Sequence, residues 1–153
     1  MPTDAAIETI EIDSPFDRVL AVVRDVESQP HWVPEILEAE VLERNEDSTP
    51  ATARFRATTP VGKDEYTLAY EHRRDGMSWS LVEGRLQSGQ DARYDVRRLG
   101  KNRTAVTFDL RITHGLPLPG FLRRKVIKGL VHGTLAGLDE YTKSRDMRVG
   151  PSG

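Results

Sequence analysis

The residues best suited to acid–base chemistry lie on one predicted hairpin, YEHRRDGMSWSLVEG, which runs from Tyr70 to Gly84. Side chains alternate between the two faces of a strand, so a turn at Asp75-Gly76 places several of them on one face. These are Tyr70, His72, Trp79, Leu81 and Glu83. His72 and Glu83 could act as a general acid and a general base, and they are the two candidate catalytic residues. No recognisable catalytic constellation surrounds them.

The same hairpin raises the question of what its inward face contacts. A loop made of Asp75-Gly76 predicts that His72 pairs with Trp79 and that Leu68 pairs with Glu83. Glu83 would then face the same way as the aromatic residues, on the side that a sheet normally keeps dry. This face could be the wall of a ligand cavity or an ordinary filled core, with the polar residues reaching solvent at the strand ends. The pattern alone leaves both interpretations open.

Composition narrows the range of functions. The 153 residues are 37% hydrophobic and 30% charged, which is typical of one soluble globular domain. The formal net charge of −2 gives no general attraction to nucleic acid or to anionic membrane. There is no cysteine, and the four histidines lack the HxH or HExxH spacing of metal ligands, so neither a metal nor a cofactor is expected. The N-terminus lacks the basic start and apolar run of a signal peptide, which predicts a cytoplasmic protein.

Hydrophobic periodicity predicts an α+β fold. The first helix follows Ser14-Pro15, and Pro30 and Pro34 then limit a short second helix or turn that carries His31 and Trp32. Seven strands are predicted near 6–13, 37–44, 51–59, 63–74, 77–84, 89–99 and 102–114. The loops between the last six are short, which favours consecutive antiparallel hairpins. His114 ends the last strand, where we expect it to reach solvent.

The C-terminal helix, predicted from Phe121 to about Arg145, has the pattern of a cover for the inward face of the sheet. At ~100° per residue its apolar and charged residues separate, with His132 on the charged side. The apolar side carries Ile127, Leu130, Val131, Thr134, Leu138 and Tyr141. Gly129, Gly133 and Gly137 form a stripe along one flank, although each costs about 1 kcal/mol of helix stability relative to alanine. Sheet backbone or a ligand must come close to that flank, and sheet backbone is the simpler expectation.

Two motifs carry a resemblance to a known family. They are IEIDSPFDRVLAVVRDVESQPHWVP near the N-terminus and PLPGFLRRKVIKGLVHGTLAGLDEY near the C-terminus. The chain resembles the START-like (SRPBCC) superfamily, in the branch of polyketide cyclase/dehydrase, lipid-transport and coenzyme Q-binding proteins. The resemblance implies a helix-grip fold, in which a seven-stranded antiparallel sheet wraps around the long C-terminal helix and two short helices separate strands 1 and 2. The chain length predicts a single domain, over residues 1–146, and the Gly-Pro-Ser-Gly end predicts a flexible tail over residues 147–153.

A ligand cavity between the concave sheet face and the long helix is a further implication of the resemblance. The residues expected to line it are Trp32, Phe55, Tyr66, Leu68, Tyr70, Trp79, Leu81, Glu83, Tyr94, Phe108, Leu110, Leu130, Val131, Thr134 and Leu138. Such pockets are mostly apolar, with a few placed polar groups. The implied function is binding or transport of a hydrophobic small molecule, such as a polyketide, an isoprenoid quinone or a fatty-acyl lipid.

Two other functions stay open. A polyketide aromatase/cyclase would close and dehydrate a poly-β-ketone in a dry cavity, with His72, Glu83 and the tyrosines as acid and base groups. An interaction module, like the ribosome-associated toxin among coenzyme Q-binding relatives, is disfavoured by the near-neutral charge. The run from Phe121 to Lys128 could rest transiently on a membrane during ligand loading, although a solvated helix start is the simpler interpretation. The sequence names neither the ligand nor the oligomeric state.

Overall fold

The structure is a computed structural model that describes residues 2–149, with side chains up to residue 145. The strands are β1 Thr3–Ile12, β2 Ile36–Arg44, β3 Pro50–Thr59, β4 Gly62–Arg73, β5 Gly76–Gly84, β6 Gln87–Gly100 and β7 Arg103–His114. The helices are α1 Phe16–Arg24, a 3-10 helix Val26–His31 and α2 Gly120–Val149. The predicted fold, a seven-stranded antiparallel sheet with a long C-terminal helix, is confirmed. The backbone of α2 continues into the segment predicted as a tail, and residues 150–153 of that segment lie outside the described residues.

The strand order is β1-β7-β6-β5-β4-β3-β2, so each strand from β2 to β7 lies beside its neighbour in sequence. β1 is the exception, because it pairs with β7 at the other end of the chain. Between β1 and β2 the chain forms α1 and the 3-10 helix, which carry it from one edge of the sheet to the opposite edge. This connection brings the turn after the 3-10 helix close to α2.

The β4–β5 hairpin differs from its predicted register. Its loop is Arg74-Asp75, and His72 pairs with Met77. Gly76 belongs to β5, where it pairs with Arg73 of β4 and Asp95 of β6. Only glycine fits there without a shift, because a Cβ at this position would overlap the carbonyl oxygen of Tyr94. The pairing is displaced by two residues, which keeps the predicted side chains on the inward face.

A β-bulge separates Glu83 from that face. Leu68 pairs with Leu81 whereas Thr67 pairs with Glu83, so Val82 is an extra residue on β5. An extra residue interrupts the alternation of side chains along a strand. Glu83 consequently lies on the outer face and is exposed, and the prediction that its carboxylate points inward is wrong.

α2 packs across the concave face, where it contacts β1, β7 and α1. Three of its apolar side chains, Ile127, Val131 and Leu138, are at most 3% exposed. His132 projects into solvent beside Glu8, so the predicted phase of the helix is confirmed. No helix within residues 2–149 combines the length and the apolar character that crossing a membrane would require.

The glycine stripe of α2 faces the turn after the 3-10 helix, not sheet backbone as expected. A Cβ at Gly137 would overlap the carbonyl oxygen of Trp32, and one at Gly133 would contact the ring of Pro34 at 3.7 Å. Gly129 is different, because a Cβ there would have no neighbour within 4 Å. The stripe therefore serves close packing at one end and borders open space at the other.

Candidate functional site

An outer pocket and an inner cavity meet between the sheet and the first half of α2. The outer pocket has a volume of about 590 Å³ and the inner cavity has a volume of about 130 Å³. The residues that line both are Glu35, Thr58, Thr59, Asp64, Gln87, Ile112 and Leu130. Because they share this set of residues, the two volumes adjoin. We call these shared residues the junction, the outer pocket the mouth and the inner cavity the narrow end.

The outer pocket is bordered by the β3–β4 turn, the loop after β7 and the first turns of α2. Apolar side chains dominate its wall: Ile112, Leu116, Leu118, Leu122, Val126, Ile127 and Leu130. Gly129 also borders this pocket, and its missing side chain adds to the open volume. This part of the molecule offers a ligand an apolar surface that solvent can reach.

Six aromatic rings line the inner cavity, and they are those of Phe55, Tyr66, Tyr70, Trp79, Tyr94 and Phe108. The rings of Tyr94 and Phe108 stack with their centroids 4.6 Å apart, and the indole of Trp79 lies 5.2 Å from Tyr94. Burial raises the pKa of Tyr66, Tyr70 and Tyr94 above the usual value for a phenol, so all three are uncharged at neutral pH. The aromatic part of the wall is therefore uncharged and carries three neutral hydroxyl groups.

A chain of buried hydrogen bonds connects the indole to the junction between the two volumes. Trp79 Nε1 donates to Gln90 Oε1 at 2.7 Å, and Gln90 Nε2 donates to Gln87 Oε1 at 2.7 Å. Gln87 Nε2 then donates to Asp64 Oδ2 at 3.0 Å, while the amide of Leu86 donates to Asp64 Oδ1 at 2.9 Å. These polar groups satisfy one another, which fixes the wall of the cavity without a ligand.

Glu35 is the exception among the polar groups of this wall. It follows Pro34, between the 3-10 helix and β2, and its carbonyl oxygen accepts the amide of Thr58 at 2.9 Å. Its side-chain Oε2 is buried with no hydrogen-bond partner among the described residues. Burial raises the pKa of the Glu35 carboxyl above its usual 4.5, and a hydrogen bond to its own backbone opposes this in part. This carboxyl is free to bond with a ligand.

A second polar cluster lines the outer pocket. His114 Nε2 donates to Asp4 Oδ2 at 2.6 Å, and the amide of Leu116 donates to His114 Nδ1 at 3.1 Å, which assigns the proton of a neutral imidazole to Nε2. Arg123 Nε lies 3.3 Å from the same carboxylate. Asp4 and His114 are each 7% exposed, so the expectation that His114 reaches solvent is wrong. The cluster fastens β1, the end of β7 and α2 together beside the mouth.

Most of the predicted lining residues come together at the inner cavity. These are Phe55, Tyr66, Leu68, Tyr70, Trp79, Tyr94, Phe108, Leu110, Leu130 and Thr134. Val131 and Leu138 are instead packed in the core, at 1% and 0% exposure, and Leu81 packs against its edge. Trp32 is buried beside a separate surface groove, where its indole Nε1 donates to the hydroxyl of Ser28 at 2.9 Å.

The two candidate catalytic residues do not share the cavity. His72 Nε2 lies 2.6 Å from the carbonyl oxygen of Pro50, and its ring stacks on Tyr70 with the centroids 6.2 Å apart. This places His72 outside the walls of both the outer pocket and the inner cavity, and Glu83 lies on the outer face. Within the described part of the chain, no group of three or more histidine, aspartate or glutamate side chains is placed to hold a metal ion.

Sequence reasoning missed the polar groups of the junction, although part of the signal was present. Asp64 has the same parity in β4 as Tyr66, and Gln90 has the same parity in β6 as Tyr94. Strand alternation thus placed both polar side chains on the inward face. Glu35 lies in an irregular turn, where no periodicity fixes the direction of a side chain.

Known structures share this fold. A START superfamily protein from Mycobacterium smegmatis is 22% identical, with a TM-score of 0.84 over 92% of this chain and 97% of that one. The Zhui aromatase/cyclase from Streptomyces sp. R1128 is 16% identical, with a TM-score of 0.77 over 99% of each chain. A STAR-related lipid transfer protein from Xanthomonas axonopodis is 16% identical, with a TM-score of 0.72 over 91% of this chain and 85% of that one.

At these identities the likeness establishes the fold and no more. No curated protein matches the sequence. The family model described as polyketide cyclase/dehydrase and lipid transport matches residues 12–139, which is most of the chain. The chain therefore belongs to the polyketide cyclase/dehydrase and lipid transport family.

Proposed function

We propose that this protein binds a hydrophobic small molecule, such as a polyketide, an isoprenoid quinone or a fatty-acyl lipid, between the sheet and the first half of α2. The observation that carries the proposal is an apolar pocket of about 590 Å³ that adjoins a smaller cavity with six aromatic rings in its wall. Ligand pockets commonly have volumes of roughly 300–1,000 Å³ and a mostly apolar lining. The family description, which includes lipid transport, supports the same function.

The driving force for binding would be the hydrophobic effect. Apolar surface removed from water contributes about 25 cal/mol per Å². Rigid walls keep the ordering cost low, and here the hydrogen-bond chain from Trp79 to Asp64 holds one wall in place. A largely apolar molecule would therefore bind with little rearrangement of the protein.

Filling the mouth with a side chain tests the proposal. In the Gly129→Leu variant the new side chain enters open space at the outer pocket and also improves helix propensity, so the fold should persist. We expect saturable binding of N-phenyl-1-naphthylamine to the wild type, followed by fluorescence, and severalfold weaker binding to the variant. Ala136→Leu adds the same side chain at an exposed position of α2 and should bind as the wild type does. Absence of saturable binding to the wild type, or equal weakening in both variants, would contradict the proposal.

A cyclase-type reaction is the second candidate function, and Glu35 is the observation that favours it. A carboxyl group can act as a general acid or a general base, and burial raises the pKa of this one above its usual value. It lies where the inner cavity meets the mouth. Mass spectrometry after incubation with a synthetic poly-β-ketone separates the two functions. An enzyme forms a dehydrated cyclic product that the Glu35→Gln variant does not form, whereas a binding protein returns the compound unchanged.

We propose in addition that the mouth contacts an anionic membrane transiently while a ligand loads. Phe121 is 65% exposed at the start of α2, beside Leu122 of the outer pocket, and Lys125 and Lys128 are exposed in the next two turns. An exposed aromatic ring next to basic residues is suited to a membrane surface. Phe121→Ser should reduce co-sedimentation with phosphatidylserine-containing vesicles, whereas Leu99→Ser on β6 should not. Equal binding by all three proteins would refute this contact.

A further inference from the structure

Among the buried polar atoms of the described residues that lack a hydrogen-bond partner, one belongs to a residue that lines the cavity, Glu35. In the described part of the chain these atoms are Arg24 Nε, Glu35 Oε2, His72 Nδ1 and Asp139 Oδ1. Glu35 is the member of this set that lines both the outer pocket and the inner cavity. An unsatisfied buried oxygen costs about 1–3 kcal/mol, and a ligand that supplies a hydrogen bond would recover part of that cost.

Local structure fixes the backbone of Glu35. Its carbonyl oxygen accepts the amide of Thr58 at 2.9 Å, and the amide of Ile36 donates to the carbonyl of Val33 at 3.1 Å. Pro34 further restricts the backbone before it. The backbone of Glu35 is thus fixed beside the junction, where its side chain lines both volumes and where Asp64 and Gln87 already bond to each other.

The sizes of the two volumes indicate how a ligand divides between them. An engineered cavity of about 150 Å³ in another protein accommodates one benzene molecule. The inner cavity, at about 130 Å³ and with six aromatic side chains in its wall, is thus suited to a single six-membered ring. The outer pocket, at about 590 Å³, has room for an apolar chain attached to that ring.

We propose that Glu35 determines specificity by hydrogen bonding to a hydroxyl group on a ring that occupies the inner cavity, while the apolar chain of the ligand lies in the outer pocket. The chain must leave the inner cavity through the junction at which Glu35 lies. A hydroxyl next to the chain, in the ortho position, therefore faces Glu35, whereas a hydroxyl in the para position faces the closed aromatic end. This inference rests on the proposed binding function.

Three matched probes test the inference: heptylbenzene, 2-heptylphenol and 4-heptylphenol, each titrated by calorimetry. We expect the wild type to bind 2-heptylphenol about three- to tenfold more tightly than heptylbenzene, the range that one hydrogen bond supplies. The para isomer should gain no such preference. Glu35→Gln keeps a hydrogen-bonding group and should retain the preference, whereas Glu35→Leu should lose it and still bind heptylbenzene.

The outcomes separate this inference from the function on which it rests. Binding of heptylbenzene to Glu35→Leu also shows that this variant has kept its cavity. If no probe binds to the wild type, both the binding function and the inference are overturned. If heptylbenzene and 2-heptylphenol bind equally well, or if Glu35→Leu keeps the preference, the inference alone is overturned.

Discussion

The two halves of α2 cover the same concave sheet but meet different surroundings. In the second half, Leu135 and Leu138 are 0% exposed within a filled core. In the first half, Leu130 is only partly buried and lines both the outer pocket and the inner cavity. The interior of this fold is thus divided along the helix, with packing at one end and space for a ligand at the other.

The glycines of α2 show the same division within one residue type. Gly137 allows the carbonyl of Trp32 to approach the helix backbone, which locks the turn onto α2. Gly129, two turns earlier, faces open space beside the mouth. The glycine stripe therefore stabilises the packing of α2 at Gly137, the closed end, and leaves space for a ligand at Gly129, the open end.

Truncating one leucine in each half of α2 should give the largest difference in stability between the two halves. Leu138→Ala removes a fully buried side chain and should lower the free energy of unfolding by about 2–5 kcal/mol. Leu130→Ala enlarges a space that already exists, so we expect a loss below about 1 kcal/mol. Urea denaturation of the two variants measures both values. Similar losses would show that the open end is packed as tightly as the closed end.

Alanine at the two ends of the glycine stripe should change stability in opposite directions. Gly137→Ala forces the Trp32 carbonyl away from the helix and should destabilise the protein by about 1–3 kcal/mol. Gly129→Ala meets no neighbouring atom and should stabilise it by up to about 1 kcal/mol through helix propensity. Thermal unfolding gives the sign of each effect. A gain in both variants would remove the distinction between the two ends.

The smallest effect concerns the pH dependence of stability at the open end. Because burial raises the pKa of Glu35 above 4.5, the folded state binds a proton more tightly than the unfolded state. Stability from Glu35 is therefore full at low pH and is lost as the pH rises through the folded-state pKa. Other titratable groups also line the cavity, among them Asp64 across the junction and Tyr66, which stays neutral. Both are present in the wild type and in the Glu35→Gln variant, so a difference between the two proteins reports on Glu35.

Unfolding of these two proteins from about pH 4 to about pH 8 isolates the contribution of Glu35. We expect the wild type to lose stability relative to Glu35→Gln as the pH rises. A constant difference across this range would mean that the carboxyl is as well solvated in the folded protein as in the unfolded chain. A relative gain by the wild type would mean that the fold lowers the pKa of Glu35, and either result would contradict the expectation.

Much of the fold could be predicted because its elements have strong periodicity. Alternation in β4 and the helical stripe of α2 indicated their buried faces, and the aromatic wall followed from them. The β4–β5 register could not be predicted, since it depends on the approach of Gly76 to β6 and on the bulge at Val82. These are properties of neighbouring strands and not of the local sequence.

The positions of the two carboxylates, Glu83 and Glu35, also depend on contacts between segments that are distant in the sequence. Glu83 had the inward parity but lies beyond the bulge, so its carboxylate faces out. Glu35 lies outside the strands, so strand alternation predicts nothing about its side chain. Its orientation depends on the contact of its carbonyl with Thr58 and on the position of the 3-10 helix. Long-range contacts of the backbone, which the sequence does not display, place both carboxylates.

Methyl-resolved NMR with heptylbenzene tests the division of the interior most directly. We expect the ligand to shift the methyl signals of Ile112 and Leu130, which line both the outer pocket and the inner cavity, and to leave those of Leu135 and Leu138 nearly unchanged. Saturating shifts confined to the first pair would establish that the open end is the binding site. Shifts of similar size in both pairs, or no shift at Ile112 and Leu130, would contradict it.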